Sequence, residues 1–255
     1  MDLGIKGKKA LVVGASKNIG AAIAEELAKE GCRVTVVARD EALLKKLVKK
    51  MGGSIKGHGY LTADLLMKGK PSEAAQILLT TKDSFDIVVH NIGGALGVKD
   101  ILAPVGDWEK VWMFNAGIAI EMNRLLVPMM KKKKWGRLIH VSSISAKNGE
   151  PLGGAHPYAA AKAYLNAYVK GLARELAKDN IIVSSIMPGA VLSEGKYWDI
   201  VKKKDPGAVK SFIEKHYPIG RFGVPSEIAS FVVFMASKHA SFAAGAVIPV
   251  DGGMI

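Results

Sequence analysis

The sequence predicts an α/β protein, a single Rossmann-type domain over residues 1–255 with a seven-stranded parallel sheet and helices on both faces. Three observations carry this. Apolar runs of strand length alternate with segments of helical period from one end of the chain to the other, as in consecutive βαβ units. A glycine-bearing loop follows the first apolar run directly and opens into a helical segment. The length of 255 residues, with 49% hydrophobic residues, 23% charged and 10 Pro, gives one α/β domain a sizeable core and excludes disordered and fibrous chains.

Taken in order, strands are expected at 9–13, 33–38, 55–61, 87–91, 137–142, 181–187 and 246–250. Helices are expected at 19–30, 41–50, 72–81, 108–131, 158–178 and 225–237, where apolar residues recur at helical spacing with few internal breakers. Connections this regular imply right-handed crossovers. The segment 193–220 departs from the pattern: it is charged, it carries Gly195, Pro206 and Gly207, and it holds the pair Tyr197-Trp198. It reads as a partly helical lid. Trp108, Trp112 and Phe114 lie at helical spacing and read as core or subunit-interface residues rather than ligand contacts.

No apolar run approaches the roughly 18–20 residues that a membrane span needs, and the opening Met1-Asp2-Leu3-Gly4-Ile5-Lys6 has no signal-peptide core. A soluble cytoplasmic protein is expected. Cys32 stands alone, so no internal disulfide can form, and the six His contain no HxxxH pair. No structural metal is expected. The net charge of +13 suits acidic ligands, but 30 of the 36 basic residues are Lys, whereas base recognition and bidentate phosphate contacts favour Arg. The clusters 131–134 and 202–204 also lack the interleaved aromatics of a single-strand binder, so nucleic acid is not an expected partner.

Gly14-Ala15-Ser16-Lys17-Asn18-Ile19-Gly20 lies between the first strand and the first helix, the context that a dinucleotide-binding loop requires. Gly14 allows the tight turn. Gly20 lets helix and strand approach closely, while N–H groups at the helix start face a pyrophosphate. Asn18 replaces the middle glycine; among other residues Asn best tolerates a left-handed backbone, and its side chain is placed to contact the cofactor phosphates. The second strand ends in Val36-Val37-Ala38-Arg39, without the acid that would hold the adenosine ribose hydroxyls of NAD. Arg39, with Lys17 as a second cation, suits the 2′-phosphate of NADP(H). Asp40 reads as a solvent-facing residue or the start of the next helix.

Tyr158-Ala159-Ala160-Ala161-Lys162 puts a phenol and an ammonium on one face of a helix. A phenol with a pKa of about 10 is a poor base near neutrality. An ammonium about 4 Å away favours the phenolate by up to ~4 kcal/mol at an effective dielectric near 20, at most about three pKa units. The phenol then exchanges a proton with an alcohol or carbonyl oxygen at physiological pH.

With these motifs, Asp64, His90-Asn91-Ile92-Gly93, Asn115, Ser142-Ser143, Pro188-Gly189 and Val250-Asp251-Gly252-Gly253 follow in one order, and over residues 6–255 the chain resembles the short-chain dehydrogenase/reductase family. The resemblance implies an NADP(H)-dependent enzyme interconverting a carbonyl and a secondary alcohol. Tyr158 is then the general acid or base, Lys162 lowers its pKa and holds the nicotinamide ribose, Ser143 hydrogen-bonds the reacting oxygen, and Asn115 anchors a relay water. Ser142 is the alternative to Ser143. Ser16, Ile19, Leu65, Asn91, Gly93, Pro188, Gly189 and Val191 join Gly14, Lys17, Asn18, Gly20 and Arg39 around the cofactor, with Asp64 at the adenine and Ser193 at the nicotinamide amide. Gly153, His156, Tyr197 and Trp198 are the candidate substrate contacts.

Within the family the chain is similar to 3-oxoacyl carrier-protein reductases, through Met129-Met130-Lys131, Gly171-Leu172-Ala173-Arg174-Glu175-Leu176 and Gly220-Arg221-Phe222-Gly223, stretches that other members share. Lys134 and Lys178 fall near positions where those reductases carry basic residues for an acidic carrier protein. The substrate class implied is a small-molecule ketone or an acyl thioester. A free sugar, polyol, steroid or polyketide substrate and a non-catalytic cofactor-binding sensor are the alternatives. The family's usual assembly implies a homotetramer in which 231–236 and 243–254 are partly buried.

Overall fold

The computed structural model describes residues 1–82, 84–147, 154–195 and 197–254. The Val- and Ile-rich runs form strands β1 (Lys9–Val13), β2 (Arg33–Ala38), β3 (Gly59–Thr62), β4 (Ile87–His90), β5 (Gly136–Val141), β6 (Ile181–Pro188) and β7 (Val247–Val250). They pair in parallel in the order β3-β2-β1-β4-β5-β6-β7. The helices are α1 (Asn18–Lys29), α2 (Glu41–Lys50), α3 (Lys70–Lys82), α4 (Val105–Trp112), α5 (Ile118–Lys133), α6 (His156–Leu176), α7 (Tyr197–Lys204), α8 (Pro206–His216) and α9 (Pro225–Ala236).

Successive side chains of a strand point to opposite faces, and this splits the core into two layers. Ala10 and Val12 of β1 pack with Ile23, Leu44 and Val232 from α1, α2 and α9. Leu11 and Val13 pack with Leu78, Met122 and Val169 from α3, α5 and α6. Strands β4, β5 and β6 are buried along their whole length, as parallel strands covered on both faces are. Each fully buried aliphatic side chain contributes about 1.5–3 kcal/mol. Strand β1 pairs with both β2 and β4, so the strand order reverses there and a crevice opens beyond the carboxyl ends of β1 and β4.

Three elements differ from the sequence expectation. The third strand begins at Gly59, not 55, because Gly53 (φ 72°) and Gly57 (φ 80°) adopt backbone conformations that favour glycine and enclose a 3-10 turn, Ser54–Lys56. The long helix expected at 108–131 divides into α4 and α5 around a π-helical turn, Met113–Gly117. The lid region carries two helices, and the second starts where Asp205 accepts the Ala208 N–H at 2.8 Å ahead of Pro206. Among the described residues no helix is long and apolar enough to cross a membrane.

Candidate active site

A cleft of about 760 Å³ runs along the carboxyl ends of the strands, from the end of β2 to the start of α6. At its floor Gly14 has φ 85°, in the tight turn expected there, and Asn18 φ 55°, the left-handed conformation it was expected to tolerate. A Cβ on Gly14 would meet the Asn91 carbonyl at 2.6 Å, and one on Gly20 would sit on the Gly14 carbonyl oxygen, so α1 is pressed against the end of β1. Asn91 ties the two loops of the switch point together: its N–H donates to Val13 at 2.8 Å and its side-chain amide to the Gly14 carbonyl at 2.9 Å.

The far end of the cleft is formed by Arg39, Asp40, Ala63, Asp64, Leu65 and Leu66. Asp40 caps α2 by accepting the Leu43 N–H at 3.0 Å, and Asp64 accepts the Leu66 N–H at 3.1 Å. Lys17 and Arg39 both line the cleft and are exposed, and neither has an ion-pair partner among the described residues.

At the other end, Pro157 in the first turn of α6 fixes the helix start, and Tyr158 and Lys162 follow one turn apart. Lys162 is buried, and its ammonium donates to the Val141 carbonyl at 2.8 Å and the Ile92 carbonyl at 3.2 Å. Burial lowers its pKa to about 7. Burial also raises the Tyr158 phenol above its ordinary value of 10.0, while the Ser143 side chain acts in the opposite sense. The structure therefore corrects the expected lowering of Tyr158 by Lys162. The ammonium lies 5.9 Å from the ring centre, and desolvation by burial is the dominant influence on the phenol.

The two serines have separate tasks. Ser142 donates to the Lys162 carbonyl at 3.2 Å and braces α6 against the end of β5. Ser143 caps a 3-10 turn, Ile144–Ala146, where its Oγ accepts the Ser145 N–H at 3.2 Å. With that lone pair engaged, its hydroxyl proton is free to point at Tyr158 or at a bound oxygen. Asn115 stands in the π-helical turn, buried behind the cleft wall. Its Oδ1 accepts the Gly94 N–H at 3.0 Å, and its Nδ2 donates to the carbonyls of Gly94 (2.9 Å) and Val111 (2.7 Å). The side chain thus anchors the loop after β4.

Of the sequence-predicted residues, the cleft brings together Gly14, Ser16, Lys17, Asn18, Ile19, Arg39, Asp64, Leu65, Asn91, Gly93, Ser143, Tyr158, Lys162, Pro188, Gly189, Val191, Ser193 and Trp198. Gly20 and Asn115 support it from behind. His156 is the first residue of α6 and is not among the cleft-lining residues, whose place there is taken by Ala155. Gly153 and the Tyr197 side chain lie outside the described residues. Trp198 both lines the cleft and packs in the lid, with ring centres 4.3 Å from Phe212 and 4.8 Å from Phe222. Phe114, expected in the core or at an interface, lines the cleft too, from the π-helical turn. Lys99, Ala95, Ile118 and Ser145 were missed. Ser145, two residues beyond Ser143, was the one with a readable signal. Of the two lysines near expected carrier-binding positions, Lys134 is engaged by Asp179 at 2.6 Å.

The residues present fit a dinucleotide. Asn18 Nδ2 is buried in the cleft floor without a protein partner, next to N–H groups at the start of α1, which is where a pyrophosphate would accept hydrogen bonds. The glycine contacts leave a wall too tight for any Cβ at Gly14 or Gly20.

A family model described as enoyl-(acyl carrier protein) reductase matches residues 14–255. The 3-oxoacyl-[acyl-carrier-protein] reductase of Aquifex aeolicus (strain VF5) is 32% identical over 265 residues, covering 100% of both chains. L-sorbose reductase from Gluconobacter frateurii, solved with NADPH and L-sorbose, superposes with a TM-score of 0.91 at 33% identity, over 100% of this chain and 98% of that one. A 3-oxoacyl (acyl-carrier-protein) reductase from Agrobacterium tumefaciens C58, with NADP bound, gives 0.90 at 28% identity, over 98% and 95%. Coverage of this extent, on a parallel sheet whose switch-point cleft holds the Tyr158-Lys162 pair, establishes that the chain belongs to the short-chain dehydrogenase/reductase family of oxidoreductases.

Proposed function

We propose that the protein is an NADP(H)-dependent carbonyl reductase, with 3-oxoacyl thioesters as its first candidate substrates. One observation carries the reading: Ser143 and the half-buried Tyr158 line the cleft beside buried Lys162, while Lys17 and Arg39, cations without an ion-pair partner among the described residues, stand at its opposite end. Lys17 and Arg39 would hold the 2′-phosphate, Asn18 and the N-terminus of α1 the pyrophosphate, Asp64 the adenine, and Lys162 the nicotinamide ribose. When bound, the nicotinamide supplies the hydride that the carbonyl carbon receives.

The protein's part in the step is to hold the carbonyl oxygen and deliver a proton to it. Ser143 and Tyr158 donate to the oxygen on which negative charge develops. The raised pKa keeps the Tyr158 phenol protonated at neutral pH, the form that reduction requires, and its proton passes from Oη to the new alkoxide. Lys162, titrating at about 7, holds a proton able to replace it, and Asn115 sets the loop along which a relay water would lie.

The free-ketone reading shares this machinery, and the lid around Trp198 decides between the two. Lys178 and the basic surface suit an acidic carrier protein, with Lys134 contributing less because Asp179 neutralises it. Exposed Phe231 (45%), Phe234 (41%) and Phe242 (104%) support burial of α9 and the β7 region between subunits of a homotetramer. A cytoplasmic setting fits such a partner and cofactor.

Titration with NADPH and NADH, followed by oxidation of the bound cofactor with acetoacetyl and crotonyl thioesters and a panel of small ketones, tests the proposal. NADPH preference with acetoacetyl or ketone turnover is expected, falling at least about 10²-fold in Tyr158→Phe with NADPH affinity retained. Turnover confined to crotonyl thioester would replace carbonyl reduction by double-bond reduction, the reaction named by the matched family description.

A further inference from the structure

The loop after β4 starts at the catalytic lysine and turns back to the cleft. At its start, a Cβ on Gly93 would meet the Lys162 ammonium at 2.7 Å, so the chain sets out against the catalytic lysine. It then reverses. The Val98 N–H donates to the Ala95 carbonyl at 2.9 Å, with Leu96 (φ 52°) and Gly97 (φ 82°) both left-handed, and such a turn brings its end residues within about 7 Å. Val98 is thereby brought back to Ala95, and Ala95 and Lys99 both line the cleft.

Charge along the cleft is divided by the sheet order. The two cleft acids, Asp40 and Asp64, follow β2 and β3, on the far side of β1. Around the catalytic groups, which follow β5 and open α6, the wall offers the hydroxyls of Ser143, Ser145, Tyr158 and Ser193 and, among the described residues, no carboxylate. Lys99 lines the cleft from the loop that follows β4, the strand between β1 and β5. Asp100, next in sequence, accepts the Leu102 N–H at 2.9 Å and is not part of the wall. Lys99 has no ion-pair partner among the described residues. Lys17, Arg39 and Lys162 all have cofactor groups to hold; Lys99 has none.

We infer that Lys99 binds a negative charge on the substrate, so that the preferred carbonyl compounds carry an anionic group beyond the reacting carbon. The inference rests on the carbonyl-reductase reading above. A carboxylate of a free oxo acid and the phosphate of a pantetheine arm present the same chemistry to a lysine, and the test separates them.

Four substrates are compared under NADPH saturation: acetoacetate against ethyl acetoacetate, and acetoacetyl-phosphopantetheine against the neutral acetoacetyl-N-acetylcysteamine thioester. Lys99→Ala raises KM about fivefold for a charged member and leaves both neutral members and NADPH affinity unchanged. Lys99→Arg restores the charged substrate, and Lys99→Glu penalises it further. A response in the acetoacetate pair alone identifies a carboxylate, and one in the thioester pair alone a phosphate. Equal loss on charged and neutral substrates, or loss of NADPH affinity in Lys99→Ala, overturns the inference while leaving the reductase intact. If the unaltered protein oxidises NADPH with none of the four, the reductase reading fails and takes the inference with it.

Discussion

Lys162 is buried and Tyr158 half-buried, and desolvation disfavours the charged form of each, so the phenol stays protonated while the ammonium is held at about 7. For Lys162 this has a measurable consequence for stability. Its ordinary value is 10.5 and its folded value about 7, so between these pH values the unfolded chain binds more protons than the folded one. Its contribution is therefore least favourable below pH 7 and improves as pH rises toward 10.5. Lys162→Met is expected to stabilise the uncomplexed protein by about 1–3 kcal/mol at pH 7 in urea unfolding, to flatten the rise toward pH 9.5, and to abolish turnover. Equal or lower stability at pH 7 would show that the carbonyls of Val141 and Ile92 fully offset the buried charge. The i to i+4 spacing of this pair was legible in the sequence because a helix period is local. The direction of the Tyr158 shift was not, since it depends on burial by parts of the chain remote in sequence. The same limit hid the pairing of Lys134 with Asp179, 45 residues apart.

At the scale of elements, the lid is held by contacts that link it to both the cofactor loop and the chain end. Tyr217 accepts the Ala190 N–H at 2.7 Å and donates to Met254 Sδ at 3.2 Å, while its ring packs edge-on against Phe222, which touches Trp198. The chain is pinned beside it where Leu192 donates to Gly223 and Gly223 to Ala190. Removing the Tyr217 hydroxyl strands a buried N–H at the residue after Gly189, a loss of about 1–3 kcal/mol confined to this segment. In Tyr217→Phe the expected result is faster amide exchange at Ala190 and a severalfold higher KM for the carbonyl substrate, with little change in overall stability. Unchanged exchange at Ala190 would remove this link between lid and cofactor loop. Strands β1, β2, β5 and β6 were legible from continuous apolar runs, and the lid from its charge and glycines. The π-helical turn that carries Asn115 and Phe114 had no sequence signal, because an extra residue in one turn leaves helical periodicity almost intact.

For the molecule as a whole, the interior carries two histidines that the site chemistry does not use. His90 ends β4 and His140 lies opposite it on β5, with ring centres 5.1 Å apart. Between sheet and helices, Asn123 of α5 places Oδ1 2.8 Å from His90 Nε2 and Nδ2 3.3 Å from His140 Nε2, and donates to the Tyr168 hydroxyl of α6 at 3.2 Å. Nδ1 of His90 finds no partner among the described residues. Among the described residues no carboxylate enters this cluster, and the nearby charge, Lys162, is of the wrong sign to help a protonated ring. Burial holds His90 at about 4, against an ordinary 6.5, and His140 well below 6.5. Both values are depressed, so the histidines bind protons in the unfolded chain before they do in the folded one. Stability is then fully present above pH 6.5 and is lost as pH falls from 6.5 toward 4. The drop of His90 from 6.5 to about 4 corresponds to about 3 kcal/mol, a large share of the 5–15 kcal/mol typical of a folded domain. Urea unfolding of the unaltered protein is expected to lose about 3 kcal/mol or more between pH 7 and pH 4.5, and His90→Asn to lose about 2 kcal/mol less over the same interval while keeping an amide for Asn123. Carboxylates that are ion-paired on the surface also titrate in this range, and the difference between the two proteins cancels their part. Parallel stability curves for the two would place the acid sensitivity on the surface pairs and acquit the buried histidines.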